Sequence, residues 1–192
     1  MRQELLNLHR KLNATFLFVT HDQIEALTLA DLLIVMDNGI IQQIGTPQEI
    51  YAFPQNEFVA KFIGSSAINL IEDVTLNKLS DSRFSCSLLG KEVTFDIEDK
   101  NNKNAEYIVD IGIRPEDFEI STTNKTEYII KSCEFFGDTY LYVCESIENN
   151  DMLLRVKSNK VYKINESVSL KFKPYKLHLF EKISKKRIKL MR

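Results

Sequence analysis

Most of this chain consists of short apolar runs separated by polar turns. Nine such runs follow Gly64. They occupy residues 68–76, 83–89, 91–97, 107–114, 127–136, 139–147, 152–157, 167–173 and 176–180. Their lengths are typical of strands, and the polar segments between them, such as "EDKNNKN", are typical of turns. Because no helical stretch interrupts them, the sequence predicts a small all-β barrel or sandwich over residues 65–192.

The first 64 residues have a different pattern. "TFLFV" (15–19) and "LLIVMD" (32–37) are apolar without alternation, as expected of strands covered on both faces. "DQIEALTLA" (22–30) predicts a short helix between them, so the three segments are expected to form a βαβ unit with parallel strands. Two such strands cannot cover their own apolar faces. Residues 1–64 are therefore predicted to be the closing part of a larger α/β domain.

Local signals in this first part mark one turn and two helix starts. Asn38–Gly39 favours a type I′ hairpin turn. Thr46 and Glu49 have the spacing of a capping box, and Pro47 occupies the first helical position. Asn56 is expected to cap a further short helix.

Composition excludes several classes of protein. No apolar run approaches the roughly 18 residues that a membrane-spanning helix needs. The first residues, "MRQELLNLHRKL", lack the apolar core of a secretory signal. Cys86, Cys133 and Cys144 are odd in number and widely spaced, so neither a disulfide framework nor a metal site is predicted. We expect a protein of the reducing cytoplasm.

The end of the chain is basic. "KISKKRIKLMR" carries six Lys and Arg residues, although the whole chain has a formal net charge of −2. Such a tail can bind nucleic acid, but the chain has no recognisable motif of stacking aromatic residues. The tail is therefore predicted to be a solvated terminal segment, with no nucleic-acid partner.

His21 is the first candidate site residue. It follows the predicted strand 15–19, and ligands of open α/β sheets bind beyond the carboxyl ends of strands. An imidazole in that position can donate a hydrogen bond to phosphate. A structural or incidental histidine is the alternative that the residues alone leave open.

The segment "FVTHDQIEALTLADLLIVMDNGIIQQIGTPQEIYAFPQNEFVAKFIG" (18–64) resembles the last part of the ATP-binding subunit of ABC importers. The similarity is to the branch that includes the maltose and spermidine/putrescine transport ATPases. The β-rich part resembles the C-terminal OB-like regulatory region of that family, called TOBE, through "IGIRPEDF" (111–118), "FFGDTYLYV" (135–143) and "KLHLFE" (176–181). The resemblance implies an α/β remnant of a P-loop nucleotide-binding domain (1–64) followed by an all-β OB-like TOBE barrel (65–192).

The resemblance also implies roles for single residues. His21 corresponds to the switch histidine, which hydrogen-bonds the γ-phosphate of ATP and helps to orient the attacking water. Asp22 either lies near the nucleotide-sandwiched dimer interface or simply caps the following helix. Arg114, Pro115 and Glu116 are interpreted as architectural, with Pro115 expected at a strand end or edge.

The implied cofactors of the complete protein are ATP and Mg²⁺, and the implied partners are membrane permease subunits and a second copy of the chain. The protein would then lie in the cytoplasm, peripheral on the inner face of the cell membrane. The same motifs favour import of carbohydrate over polyamine.

The sequence also departs from the family pattern. It contains no G-x-x-x-x-G-K-[ST] phosphate loop, no LSGGQ-type signature and no apolar strand ending in Asp-Glu. The chain alone is therefore expected to bind no cofactor and to be inactive as an ATPase. Met1 is interpreted either as a true start or as the edge of a truncation. The alternative function is a free-standing TOBE-type regulatory or ligand-binding module.

Overall fold

The structure is a computed structural model that describes residues 2–12, 14–98, 106–122 and 126–191. The chain divides into two compact units, an N-terminal unit (Met1–Ser65) and a C-terminal unit (Ser66–Arg192). Most of the regular structure is β-sheet, and the helices are few and short.

The described residues of the N-terminal unit form four helices and one hairpin. They are α1 (Arg2–Leu12), α2 (Gln23–Leu29), β1 (Leu33–Asp37), β2 (Ile40–Gly45), α3 (Pro47–Ala52) and α4 (Glu57–Phe62). Strands β1 and β2 pair antiparallel. Asn38 and Gly39 between them have φ angles of 48° and 79°, and a type I′ turn requires φ > 0 at both positions. The predicted hairpin is confirmed.

The predicted strand 15–19 does not form, so the predicted parallel βαβ unit is wrong. Residues 14–20 have neither helical nor strand structure, and Leu17 and Val19 are 88% and 89% exposed. An apolar run becomes a buried strand only when a neighbouring strand takes its backbone hydrogen bonds, and β1 pairs with β2 instead. Strand β1 is also covered on one face only, because Ile34 and Met36 are exposed.

A small core holds the hairpin against the following helices. It consists of Val35, Ile50, Val59 and Ile63. The buried side chain of Gln43 donates to the carbonyl of Phe53 (3.1 Å) and accepts from the N–H of Gln55 (2.8 Å). These two bonds fix the turn that connects α3 to α4.

Both predicted helix starts are confirmed. The Thr46 hydroxyl accepts from the N–H of Glu49, and the Glu49 carboxylate accepts from the N–H of Thr46 at 2.8 Å. The Asn56 side chain accepts from the N–H of Val59 at 2.9 Å. Each bond satisfies a backbone donor that the first helical turn leaves without a partner.

The C-terminal unit contains eleven described strands. They are β3 (Asn69–Lys78), β4 (Arg83–Leu88), β5 (Lys91–Asp96), β6 (Glu106–Ile113), β7 (Phe118–Ser121), β8 (Tyr128–Phe135), β9 (Tyr140–Ser146), β10 (Leu153–Ser158), β11 (Ser167–Phe172), β12 (His178–Glu181) and β13 (Arg187–Ile188). All nine predicted runs are strands. Strands β7 and β13 were not predicted.

These strands form two sheets. The order is β10-β9-β8-β11-β7 in the first and β13-β12-β6-β3-β4-β5 in the second. The two edges of the five-stranded sheet, β10 and β7, approach each other to within 8 Å between Cα atoms, so this sheet curls. The architecture is consistent with the predicted OB-like domain.

One core joins the two sheets. Its side chains include Phe84, Ile111, Tyr142, Leu154 and Val168, all buried. Asn69 adds a polar link between β3 and β10. Its amide donates to the carbonyl of Arg155 (2.8 Å), and its side-chain oxygen accepts from the N–H of Arg155 (2.6 Å).

A buried carboxylate anchors the basic end of the chain. Asp110, on β6, has no exposed side-chain surface, and it accepts from Lys182 (3.2 Å), Lys185 (2.5 Å) and the N–H of Asp73 (3.0 Å). Burial opposes ionisation of Asp110, but the bonds from Lys185, the Asp73 N–H and Lys182 outweigh it and hold its pKa below the usual value. The predicted solvated tail is therefore wrong for these two lysines, which hold the β12–β13 turn on β6.

We expect Asp110→Asn to lower the free energy of unfolding by about 1–3 kcal/mol at neutral pH, because it removes the charge that two lysines share. The pKa of Asp110 is lower in the folded protein than its unfolded value of about 3.9, so the ionised carboxylate stabilises the folded state above that pH. This stabilisation is lost as the pH falls through the folded-state pKa. Urea titrations should therefore show a difference between parent and variant that shrinks in acid. Glu119→Gln, which breaks an exposed pair with Lys173, is the control and should change little. An equal loss in both variants would contradict the role of Asp110.

Limited digestion with chymotrypsin should cut first within residues 14–20. Residues 14–19 are exposed and include Phe16 and Phe18, and the whole segment has no regular backbone pairing. The C-terminal unit should survive as a resistant fragment starting near Ser65, as mass spectrometry of the products would show. First cuts within the C-terminal unit would mean that its core is the weaker one.

Candidate functional site

The candidate site lies at the N-terminal end of α2. The Thr20 hydroxyl accepts from the N–H of Asp22 (3.0 Å) and donates to the Glu25 carboxylate (3.1 Å). These bonds tie the irregular segment before the helix to its first turn. They define the backbone position of the residue between them, His21.

Asp22 is the N-cap of α2. Its carboxylate accepts from the N–H groups of Ile24 (2.8 Å) and Glu25 (3.1 Å). Of the two roles considered for Asp22, capping is the one that the structure displays. A place at a dimer interface stays a prediction.

His21 is exposed, and it follows residues 14–20 rather than a strand. The expected position at a strand end is therefore corrected, whereas its position directly before the helix cap is as predicted. Within the described residues, no hydrogen bond or ion pair of its imidazole is found. Neutral imidazole has one N–H donor and one acceptor nitrogen, so this side chain can donate one hydrogen bond to an anion.

A contact that sequence reasoning missed holds α2 to the end of the unit. The Gln23 side-chain oxygen accepts from the N–H of Gly64 at 3.0 Å. The two residues are 41 positions apart, and glutamine after a capping aspartate gives no signal of a distant partner. This bond stabilises the position of the first turn of α2, and with it the position of His21.

The other candidate residues belong to the C-terminal unit. Pro115 begins a short 3-10 turn one residue beyond the end of β6, close to the strand end where it was predicted. Arg114 is buried, and burial lowers its pKa to about 10, while Asp117 opposes that shift. Burial raises the pKa of Glu116. These surroundings agree with an architectural role and give no sign of a reacting group.

No group of three or more His, Cys, Asp or Glu residues in residues 2–12, 14–98, 106–122 and 126–191 could hold a metal ion. In the same part of the chain, no helix has the length and apolarity needed to cross a membrane.

The C-terminal unit matches a known domain family. Residues 111–180, from β6 to β12, match the TOBE domain. The C-terminal unit, with its two sheets and shared core, therefore contains a TOBE domain.

Relatives extend the similarity over nearly the whole chain. The spermidine/putrescine import ATP-binding protein PotA of Mesoplasma florum is 38% identical over 184 residues, which is 95% of this chain and 50% of the relative. The same protein of Borrelia garinii is 41% identical over 184 residues, with 95% and 49% covered. The maltose/maltodextrin import ATP-binding protein MalK of Aliivibrio fischeri is 34% identical over 185 residues, with 94% and 49% covered.

The chain is thus a relative of the ATP-binding subunits of ABC importers and is similar to their C-terminal region. It spans about half the length of the curated relatives that it matches.

We expect Asp22→Ala to loosen the start of α2. Loss of an N-cap costs about 1 kcal/mol, which corresponds to roughly fivefold faster amide exchange at Ile24 and Glu25. Asp22→Asn should retain most of the protection, and His21→Ala should leave it unchanged because the imidazole is exposed. Amide hydrogen exchange measured by NMR distinguishes the three variants. Equal acceleration by His21→Ala would show that the histidine supports the helix.

Proposed function

We propose that this chain is the C-terminal half of the ATP-binding subunit of an ABC importer, a subunit that couples ATP hydrolysis to solute uptake. The observation that carries the proposal is the similarity over 95% of the chain to import ATP-binding proteins, in a chain whose TOBE domain follows the His21 segment. Residues 1–64 are then the end of the nucleotide-binding domain, and residues 65–192 are the regulatory domain.

In this proposal His21 hydrogen-bonds the γ-phosphate of ATP and helps to orient the attacking water. Its exposure and the hydrogen bonds that position its backbone support that role, because an imidazole that makes no hydrogen bond within the described residues is available to a ligand. Asp22 acts as a positioning residue, since its carboxylate is used by the first turn of α2.

ATP and Mg²⁺ are the proposed cofactors of the complete subunit. Together they present an electrophilic γ-phosphoryl group to water. The fit of this chain to them is partial: one imidazole can contact one phosphate oxygen, but the sequence has no phosphate loop for the β-phosphate and Mg²⁺. The remaining contacts would come from the other half of the subunit.

The proposal leaves two candidate classes of imported solute, polyamine and carbohydrate. Relatives named for spermidine/putrescine and for maltose both match this chain, at 38% and 34% identity. The similarity therefore supports import and does not separate the two solute classes. Carbohydrate stays the prediction from the sequence motifs.

The proposed partners follow from the same similarity. Two copies of the subunit would work together on membrane permease subunits, at the inner face of the cell membrane. This chain would reach that membrane as a peripheral protein, held by the permease.

A chimaera tests the proposal. The N-terminal half of the Borrelia garinii relative, fused ahead of this chain, should hydrolyse ATP, whereas the 192-residue chain alone should neither hydrolyse ATP nor bind it tightly. In the chimaera, His21→Ala should lower the hydrolysis rate at least 10²–10³-fold, as expected for loss of a group that stabilises transition-state charge. Binding of ATP should persist.

His9→Ala is the matched control, because His9 lies on α1 in the same unit, and it should retain the parental rate. A His21→Ala chimaera that hydrolyses ATP at that rate would make the histidine structural. A chimaera that folds and binds ATP without turnover would favour the alternative, a TOBE-type module without ATPase activity.

A further inference from the structure

The first residue of α2 is bonded to the segment that leads into the C-terminal unit. The side-chain oxygen of Gln23 accepts from the N–H of Gly64 at 3.0 Å. Gly64 directly follows Ile63, a residue of the small N-terminal core that is 2% exposed. The bond therefore joins the helix that begins beside His21 to the end of the N-terminal unit.

Residues 64–67 connect this N-terminal core to β3, and the chain is anchored again directly after them. Ile68 and Asn69 are both buried. The Asn69 amide donates to the carbonyls of Ile113 (3.1 Å) and Arg155 (2.8 Å). Four residues between two anchored positions leave little slack, because each extended residue spans at most about 3.6 Å. A displacement of the start of β3 is therefore transmitted along this connecting segment.

The hydrogen bond to Gln23 lies where the connecting segment leaves the N-terminal core. The φ angle of Gly64 is 144°, a value that residues with a Cβ atom rarely adopt. This angle sets the direction in which the chain continues beyond the N–H that Gln23 accepts. A change in the path of the connecting segment therefore changes the geometry of this bond.

Two contacts of different kinds hold α2. Leu27, in its last turn, packs against the N-terminal core, whereas Gln23, in its first turn, is bonded to Gly64. The helix has seven residues, too few to be stable in isolation. Loss of the Gln23 bond would leave α2 attached through Leu27 but would release its first turn, which directly follows His21 and its neighbouring cap.

We propose that Gln23 is a positioning residue for ATP hydrolysis, through which residues 64–67 control the orientation of His21. While the Gly64 N–H donates to Gln23, the first turn of α2 holds the histidine in its position for hydrolysis. A displacement of the connecting segment that breaks this bond slows hydrolysis and leaves ATP bound. The inference rests on the proposed function and deepens it, because it identifies a residue by which the C-terminal unit acts on the histidine.

NMR of the 192-residue chain tests the connection without nucleotide. Gly64→Ala changes the path of the connecting segment, because alanine does not easily adopt the φ angle of Gly64. It should shift the amide and imidazole resonances of His21 in the parent and leave them unchanged in a Gln23→Met background. Methionine is about as long as glutamine, but its sulfur is a weak acceptor. Equal shifts in the two backgrounds, or no shift in either, would overturn the inference.

The ATPase chimaera tests the consequence for catalysis. Gln23→Met should lower kcat roughly tenfold or more and change the KM for ATP less than about twofold, as expected for misplacement of a group that acts in the transition state. Gln23→Glu retains an acceptor oxygen at the same reach and should keep the parental kcat. Gln48→Met is the matched control, because Gln48 is an exposed glutamine of α3 in the same unit, and it should also keep that kcat.

A double variant distinguishes positioning from a general loss of stability. In the His21→Ala chimaera, Gln23→Met should cause no further loss, because a positioning residue acts only through the group that it positions. A further loss there, or equal losses of kcat in Gln23→Met and Gln23→Glu, contradicts the role of Gln23. A parent chimaera without turnover would instead reject the proposed function, and the NMR comparison would then decide the connection by itself.

Discussion

The structure depends on whether each apolar sheet face has something to cover it. In the C-terminal unit the two sheets contribute to one core, in which Phe84, Ile111 and Tyr142 are fully buried. In the N-terminal unit, α3 and α4 pack against β2, but Ile34, Met36 and Ile44 on the β1–β2 hairpin are exposed. Burial of apolar area is the main favourable term in folding, so most of the stability of the chain resides in the C-terminal unit.

Polar side chains determine how the elements are connected around these cores. Gln43 holds the turn between two helices, Asn69 links the two sheets, and Asp110 holds the basic turn near the end of the chain. In each case a buried polar group forms hydrogen bonds with backbone or charged groups, as buried polar groups in proteins generally do. These bonds specify one arrangement of the elements, whereas apolar contacts alone would allow the elements to shift relative to one another.

In the His21 segment, the residues on either side of the histidine make the structural hydrogen bonds. Thr20 and Asp22 satisfy the first turn of α2, and Gln23 reaches the N–H of Gly64. His21 takes part in none of these bonds and is exposed. A residue whose backbone is positioned by its neighbours, and whose side chain makes no hydrogen bond within the described part of the chain, is well suited to contact a ligand. This is the physical basis for the role proposed here.

The sequence by itself determined the local elements. The turn at Asn38–Gly39, the caps at Thr46 and Asn56 and the nine β-rich runs all depend on interactions within a few residues, and such patterns are visible along the chain. The resemblance that pointed to His21 depends in the same way on contiguous motifs. Only the tertiary structure decided that residues 15–19 form no strand, since that outcome depends on whether a neighbouring strand is present. It also decided the partners of Asn69 and Asp110, which lie 86 and 72–75 positions away. A buried amide or carboxylate needs a partner from whichever element the fold brings beside it, and spacing along the chain does not encode which element that is.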